Sequence, residues 1–167
     1  MQFKYDNPNP INVMINSINI GQTIDLENGN TIRCIHKTKD DKYIFSFDNI
    51  LKNCSINNID DYLKEHFGDT SILPTIWWRA VKSWFIPSEF EVFGNWIYGK
   101  GEKMEQFEWY KERVNRIKYN KDEAAAYWWL RSPFYSGANY FCSVNTDGSA
   151  TIDNANGSSG LAAAFLV

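Results

Sequence analysis

The sequence predicts a single α+β domain with short antiparallel strands, two or three helices and a loop-rich C-terminal half. Three observations carry that expectation. Residues 18–47 alternate apolar and polar side chains around turn signals, the pattern of half-buried strands. Residues 58–68 and 88–94 show helical spacing bounded by capping residues. Residues 128–167 hold only three charged side chains, Arg131, Asp147 and Asp153, yet start on a tryptophan pair and end on the apolar run "LAAAFLV".

At 167 residues the chain suits one domain with a core and is short for two. Residues 1–17 carry Asn-Pro-Asn-Pro and little periodicity. They read as an N-terminal arm suited to homo-oligomer contacts, and residues 18–167 as the domain. "INIGQTIDL", "TIRCIHK" and "KYIFSF" read as three antiparallel strands, with Asn28-Gly29 and Asp40-Asp41 at the turns. Ile59, Tyr62, Leu63, His66 and Phe67 then recur at helical spacing, with Asn58 placed to cap and Gly68 to end the helix. "ILPTIWWRAVKSWF" is apolar and reads as buried and partly helical. Ser88 and Glu91 form a Ser-x-x-Glu capping box, and Gly94 closes that short helix. Glu89, beside it, reads as solvated. "GEKMEQFEWYKERVNRIKY" spaces Met104, Phe107, Val114 and Ile117 along a polar stretch and predicts a helix, or a helix plus loop.

The tail is rich in Gly, Ser, Asn and Ala, a composition compatible with disorder. Its anchored ends, and the strand–turn–strand of "FCSVNTDGSAT", argue for an ordered, loop-rich surface instead. Order without regular structure costs conformational entropy and is usually retained for binding. Successive strand residues point to opposite faces, so Trp128 and Trp129 should both pack, one in the core and one beneath the loops. Arg131 should bond backbone carbonyls or a buried carboxylate, with Pro133 stiffening the chain's exit. In the next strand Phe141 should face inward and Tyr140 outward.

Composition narrows function. Net charge is -3 and the pI about 5.4, with no basic block, which speaks against a nucleic-acid partner. No apolar run approaches the ~20 residues that span a bilayer, and the first residues lack a signal-peptide layout. Membrane insertion is not expected, and synthesis in a cytoplasm is. Cys34, Cys54 and Cys142 are odd in number and lack C-x-x-C spacing, so they read as small buried hydrophobes. His36 and His66 have no neighbouring residues at metal or triad spacing. Gly99-Lys100-Gly101 lacks the Ser/Thr and helix of a phosphate loop, and the tail lacks a calcium-lectin oxygen cluster. No catalytic residue, metal or cofactor is expected.

"FIPSEFEVFG", "GEKMEQFEWY", "NRIKY", "WWLRSP", "YFCSVNTDG" and "GLAAAFLV" occur in that order. Together they resemble a domain family of bacterial and phage proteins whose signature is Trp-Trp-Leu-Arg-Ser-Pro. That family ends in Gly-Val-Arg/Ala-Pro-Ala-Phe, where this chain has Ala163 in place of the proline. The layout is also similar to a C-type-lectin-like fold of the formylglycine-generating-enzyme kind, which implies that the N- and C-terminal strands lie side by side. Such enzymes use paired cysteines near the C-terminus, whereas here only Cys142 lies there, so the resemblance extends to fold and not to reaction. The tail further resembles the variable region of proteins altered by a diversity-generating retroelement.

That last resemblance implies a fixed scaffold of Trp128, Trp129, Arg131, Pro133, Val144, Asp147, Gly148, Ala155, Gly160, Ala164 and Phe165. It implies ligand contacts at Phe134, Tyr135, Ser136, Asn139, Tyr140, Asn145, Ser149, Thr151, Asp153, Asn154, Asn156 and Ser158. Tyr, Ser, Asn and Gly are also the residues of antibody paratopes. The expected function is binding and not catalysis: a display protein, phage or prophage tail-associated, recognising a protein or glycan receptor on a cell surface. A virion location follows if the chain is phage-encoded, and a cytoplasmic one otherwise. The alternatives are an enzyme on the same fold with Cys142 as nucleophile, and a bacterial structural protein without displayed variability.

Overall fold

Alternation over residues 18–47 becomes a three-stranded antiparallel meander of β1 (Thr23–Asp25), β2 (Thr31–Lys37) and β3 (Tyr43–Phe47). The structure, a computed structural model, describes residues 18–26, 29–67 and 83–166. The expected Asn28-Gly29 turn therefore falls partly outside the described residues, as does the N-terminal arm. Ile24, Ile32, Cys34, Phe45 and Phe47 are sealed from solvent in one core cluster.

The same sheet takes in β5 (Ser83–Phe85) and β12 (Ala164–Leu166), in the order β1-β2-β3-β12-β5. This corrects the expected side-by-side placement of the N- and C-terminal strands, here in "INIGQTIDL" and "LAAAFLV". The two share a sheet, but β2 and β3 stand between them. The physical reason is burial. β3 is buried at every position, while β1 buries only Ile24 between half-buried Thr23 and exposed Asp25. A strand as apolar as Ala164-Phe165-Leu166 is best served by neighbours covered on both faces. Phe165 lies opposite Phe45 and Trp84, with ring centroids 5.7 and 4.7 Å away.

A second sheet has the order β10-β9-β8-β11-β4, built from β4 (Lys52–Cys54), β8 (Trp128–Pro133), β9 (Tyr140–Val144), β10 (Ala150–Asn154) and β11 (Ser159–Leu161). The stretch "WWLRSP" is β8 itself, in the middle of this sheet. β6 (Lys118–Tyr119) and β7 (Ala125–Ala126) form a separate short ladder.

Two helices have the places expected. α1 (Ile59–Phe67) continues directly from a 3₁₀ turn over Ile56–Asn58, so Asn58 ends that turn and is not an isolated cap. Gly68 and most of "ILPTIWWRAVKSWF" lie outside the described residues, and the part within them is the strand β5. In α2 (Glu89–Phe93) both halves of the capping box are made: Glu91 N–H donates to Ser88 Oγ at 3.1 Å, and Ser88 N–H to Glu91 Oε1 at 2.8 Å. Gly94 ends the helix in the left-handed conformation.

The helix expected over 101–119 is replaced by two single 3₁₀ turns, Glu108–Lys111 and Arg113–Arg116. Phe107 and Tyr110 are buried, whereas Met104 and Val114 are exposed. The buried pair is three residues apart, the repeat at which 3₁₀ side chains align. Donors here also go to distant acceptors, Phe107 N–H to the Glu91 carbonyl and Glu108 N–H to His36 Nδ1. No helix among the described residues is long and apolar enough to cross a membrane.

Candidate functional site

β8 fixes the frame. Trp128 and Trp129 are both fully buried on opposite faces, Trp128 with Tyr110, Leu130 and Val144, and Trp129 with Ile59, Ile86 and Leu161. Each indole N–H has an acceptor, Arg116 O at 2.9 Å for Trp128 and Cys54 O at 2.7 Å for Trp129. A buried donor left unmet would cost about 1–3 kcal/mol, so these bonds select indole over a plain hydrocarbon ring. Between Trp129 and Pro133 the pairing with β9 slips through a bulge. Bulges re-aim side chains, and this one turns Arg131 toward α2. Its Nη1 donates to the Ile86 carbonyl at 2.9 Å and pairs with Glu91 Oε1. The expectation of a carbonyl or a carboxylate for Arg131 is met by both.

Past Pro133 the chain leaves the frame and forms an aromatic platform. Phe134, half-buried, lies at its centre. Tyr135, Tyr140 and Tyr98 meet it edge to face, with centroids 5.4, 6.5 and 6.1 Å away. Tyr135 is 66% and Tyr140 41% exposed. Backbone bonds hold the loop: Phe134 N–H to Tyr140 O, Tyr135 N–H to Tyr98 O, and Ala155 N–H to Asn139 O. Phe141 turns inward against the Trp129 cluster, as the alternation required.

Glu89 corrects the sequence reading. It is fully buried, not solvated. Its carboxylate accepts three successive backbone N–H groups, from Ile97 (2.7 Å), Tyr98 (3.0 Å) and Gly99 (2.9 Å). Such a run of amides is a ready anion nest, here filled by the protein's own side chain. Ser132 Oγ accepts the Glu89 N–H at 2.9 Å, tying the nest to β8. Sequence spacing carries no sign of this contact, because the nest is eight to ten residues further on and is built from backbone.

The other candidate contact residues divide by position. Asn139, Asn154, Asn156 and Ser158 lie at the platform end of the β9–β10 hairpin, since Asn154 pairs with Tyr140. Ser136 belongs to the platform loop and is exposed. Thr151 is mid-strand, opposite Ser143. Asp153 is tied up locally, accepting from Ser159 Oγ and Asn154 N–H, both at 2.8 Å. Asn145 and Ser149 sit at the far turn, a strand length from the rings. There Asp147 accepts from Ser149 and pairs with Arg113 at 2.8 Å. Those Ser149 hydrogen bonds, then Arg113, hold the Asp147 carboxyl below its usual range. Gly148 is left-handed, at φ 83°.

His36 is buried, accepts the Glu108 N–H at 3.2 Å and reaches Glu105 at 3.4 Å, a pairing invisible in sequence. The side chain of His66 lies outside the described residues. Cys34 and Cys142 are buried and Cys54 half-buried, all as free thiols. Burial pushes the Cys34 thiol up to about 11, and burial together with Glu89 pushes Cys142 upward. Among the described residues no group of three or more His, Cys, Asp or Glu could hold a metal. One cavity of about 470 Å³ lies between α1 and β5 and reaches Arg131 and Phe141. Another, of about 270 Å³, lies beside Lys52 and Lys121.

Residues 47–167 match the model of a family described as a domain of unknown function, DUF6273. No curated protein and no solved structure matches the chain. The matched span runs from the end of β3 through β12 and takes in the tryptophan frame, the Glu89 nest and the whole aromatic platform; the chain belongs to the DUF6273 family.

Proposed function

We propose that this protein binds a receptor through the surface formed by residues 134–158, displayed on a rigid frame with a C-type-lectin-like arrangement. One observation carries the reading. Every candidate contact residue keeps solvent exposure, while Trp128, Trp129, Val144, Gly160, Ala164 and Phe165 beside them are buried. A surface of Tyr, Ser and Asn offers ring area at low entropic cost together with adaptable hydrogen bonding. Substitution there leaves the core untouched, which suits a segment diversified by a retroelement and a phage or prophage tail protein. The rival enzyme reading needs Cys142 as nucleophile. Its thiol is buried and held protonated, the opposite of the exposed thiolate such chemistry uses.

Two tests bear on this. An adenine-rich near-copy of the coding segment for residues 128–167, beside a reverse-transcriptase gene, is the expected genomic signature of diversification. Without it that part of the proposal fails. Tyr135→Ala and Tyr140→Ala should each leave the thermal midpoint within about 2 °C, since exposed substitutions shift stability little, and weaken receptor binding about tenfold or more. Loss of the folded circular-dichroism spectrum in either variant would refute the surface assignment.

A further inference from the structure

The candidate contacts read from the tail all lie beyond Pro133, but the platform has a fourth side that does not. Tyr98 packs edge-on against Phe134, and its carbonyl accepts the Tyr135 N–H at 2.9 Å. Ile97, its neighbour, is 48% exposed although it is a large aliphatic side chain. Both are fixed by the buried Glu89 carboxylate. We propose that Ile97 and Tyr98 are contact residues of the binding surface, that Glu89 is its positioning residue, and that the partner is a polypeptide presenting an uncharged apolar patch. This rests on the reading of the platform as a binding surface and extends it to a segment outside the tail.

The partner class follows from shape and charge. Small ligands are taken up in concave sites that enclose most of their surface. Here Tyr135 and Tyr140 are exposed at the rim of half-buried Phe134 and Tyr98, so the rings offer a surface and do not enclose one. Exposed tyrosines and an aliphatic side chain on a protruding surface suit a protein–protein contact. Residues 132–146 and 154–166 contain no charged side chain. Asp153, between those stretches, already accepts from Ser159 and Asn154, and the platform side chains Ile97, Tyr98, Phe134, Tyr135 and Tyr140 are uncharged, so a charged group seated on them would lose water without gaining a counter-ion from them. The nest gives Glu89 its role. Three amides on one carboxylate set the height and direction of the 97–99 backbone, and with it the Tyr98 ring under Phe134.

The test pans a phage-displayed random-peptide library against the immobilised full chain, then titrates the enriched synthetic peptide into ¹⁵N-labelled protein. The expected result is an uncharged consensus that shifts the amides of Ile97 and Tyr98 together with those of Tyr135 and Tyr140. Ile97→Ser should weaken that peptide about tenfold at an unchanged thermal midpoint. Glu89→Gln should speed hydrogen exchange at residues 97–99 and lower peptide affinity, while β9 and β10 amides keep their protection. Shifts at Tyr135 and Tyr140 with none at 97–98 would overturn this inference and leave the tail surface standing. A peptide that lands elsewhere would overturn both. No enrichment, with shifts at the same residues on adding a neutral oligosaccharide, would overturn the polypeptide partner. Unchanged affinity in a folded Glu89→Gln protein whose 97–99 amides exchange freely would remove the positioning role. If that variant does not fold, Ile97→Ser decides.

Discussion

Lys118 presents the clearest conflict between a side chain and its surroundings. Its amine is buried, donates to Phe47 O at 2.7 Å and to Ser46 Oγ at 3.3 Å, and lies over the Tyr110 and Trp128 rings. Burial lowers it from an ordinary 10.5 to about 8; Asp48 opposes that shift and Arg33 adds to it. The sign follows from proton counting. Between pH 8 and 10.5 the unfolded chain binds more protons than the folded one, so stability rises with pH across that window. The contribution is complete above 10.5 and lost as pH falls to about 8, with a span of about 3 kcal/mol. Denaturant melts at pH 8 and pH 10 should show about 2 kcal/mol of that gain in the natural protein and not in Lys118→Met; equal changes in the two proteins would refute it. Residues of this kind were the least legible in the sequence. Glu91 was readable because its partner Ser88 is three residues away. Glu89 was not, because a carboxylate two places earlier looks the same until the 97–99 amides fold over it. Trp128 and Trp129 were readable as buried, since strand geometry denies both rings to solvent at once.

Elements were legible where local chemistry decides them and obscure where distant acceptors do. The meander, the capping box and the β9–β10 hairpin all follow from turn and cap residues. The stretch 101–119 looked helical from Met104, Phe107, Val114 and Ile117, but Glu91 and His36 draw its donors elsewhere. The hairpin shows how firmly a turn can be specified. Asn145 N–H donates to Ser149 O and Gly148 N–H to Asn145 O, a three-residue loop with Gly148 left-handed. A Cβ on Gly148 would come within 2.5 Å of the Arg113 carbonyl. Gly148→Ala should therefore destabilise the protein by about 1–3 kcal/mol, from the strained φ and the clash together. A thermal midpoint unchanged from the natural protein would show that the Arg113 turn moves aside freely.

Across the whole molecule, the α+β class and the burial of the final apolar run were both readable. The neighbour of that run was not, because alternation reports which face a strand buries and says nothing of who lies beside it. β12 is the inner strand between β3 and β5. Phe47 N–H donates to Ala163 O at 3.0 Å just before it. A chain cut after Ala163 should show no cooperative thermal transition and no near-ultraviolet dichroism; a sharp transition in that truncation would refute the central role of β12. The placement also orders events during synthesis. Ser46 and the carbonyl of Ala163 that it meets are 117 positions apart, and contacts so distant in sequence slow folding. As the chain emerges from the ribosome, β3 and β5 wait with one edge open until residues 164–166 appear. Such edges invite pairing with other chains, so nascent copies should depend on chaperones up to that moment and lose the dependence once β12 joins β3 to β5.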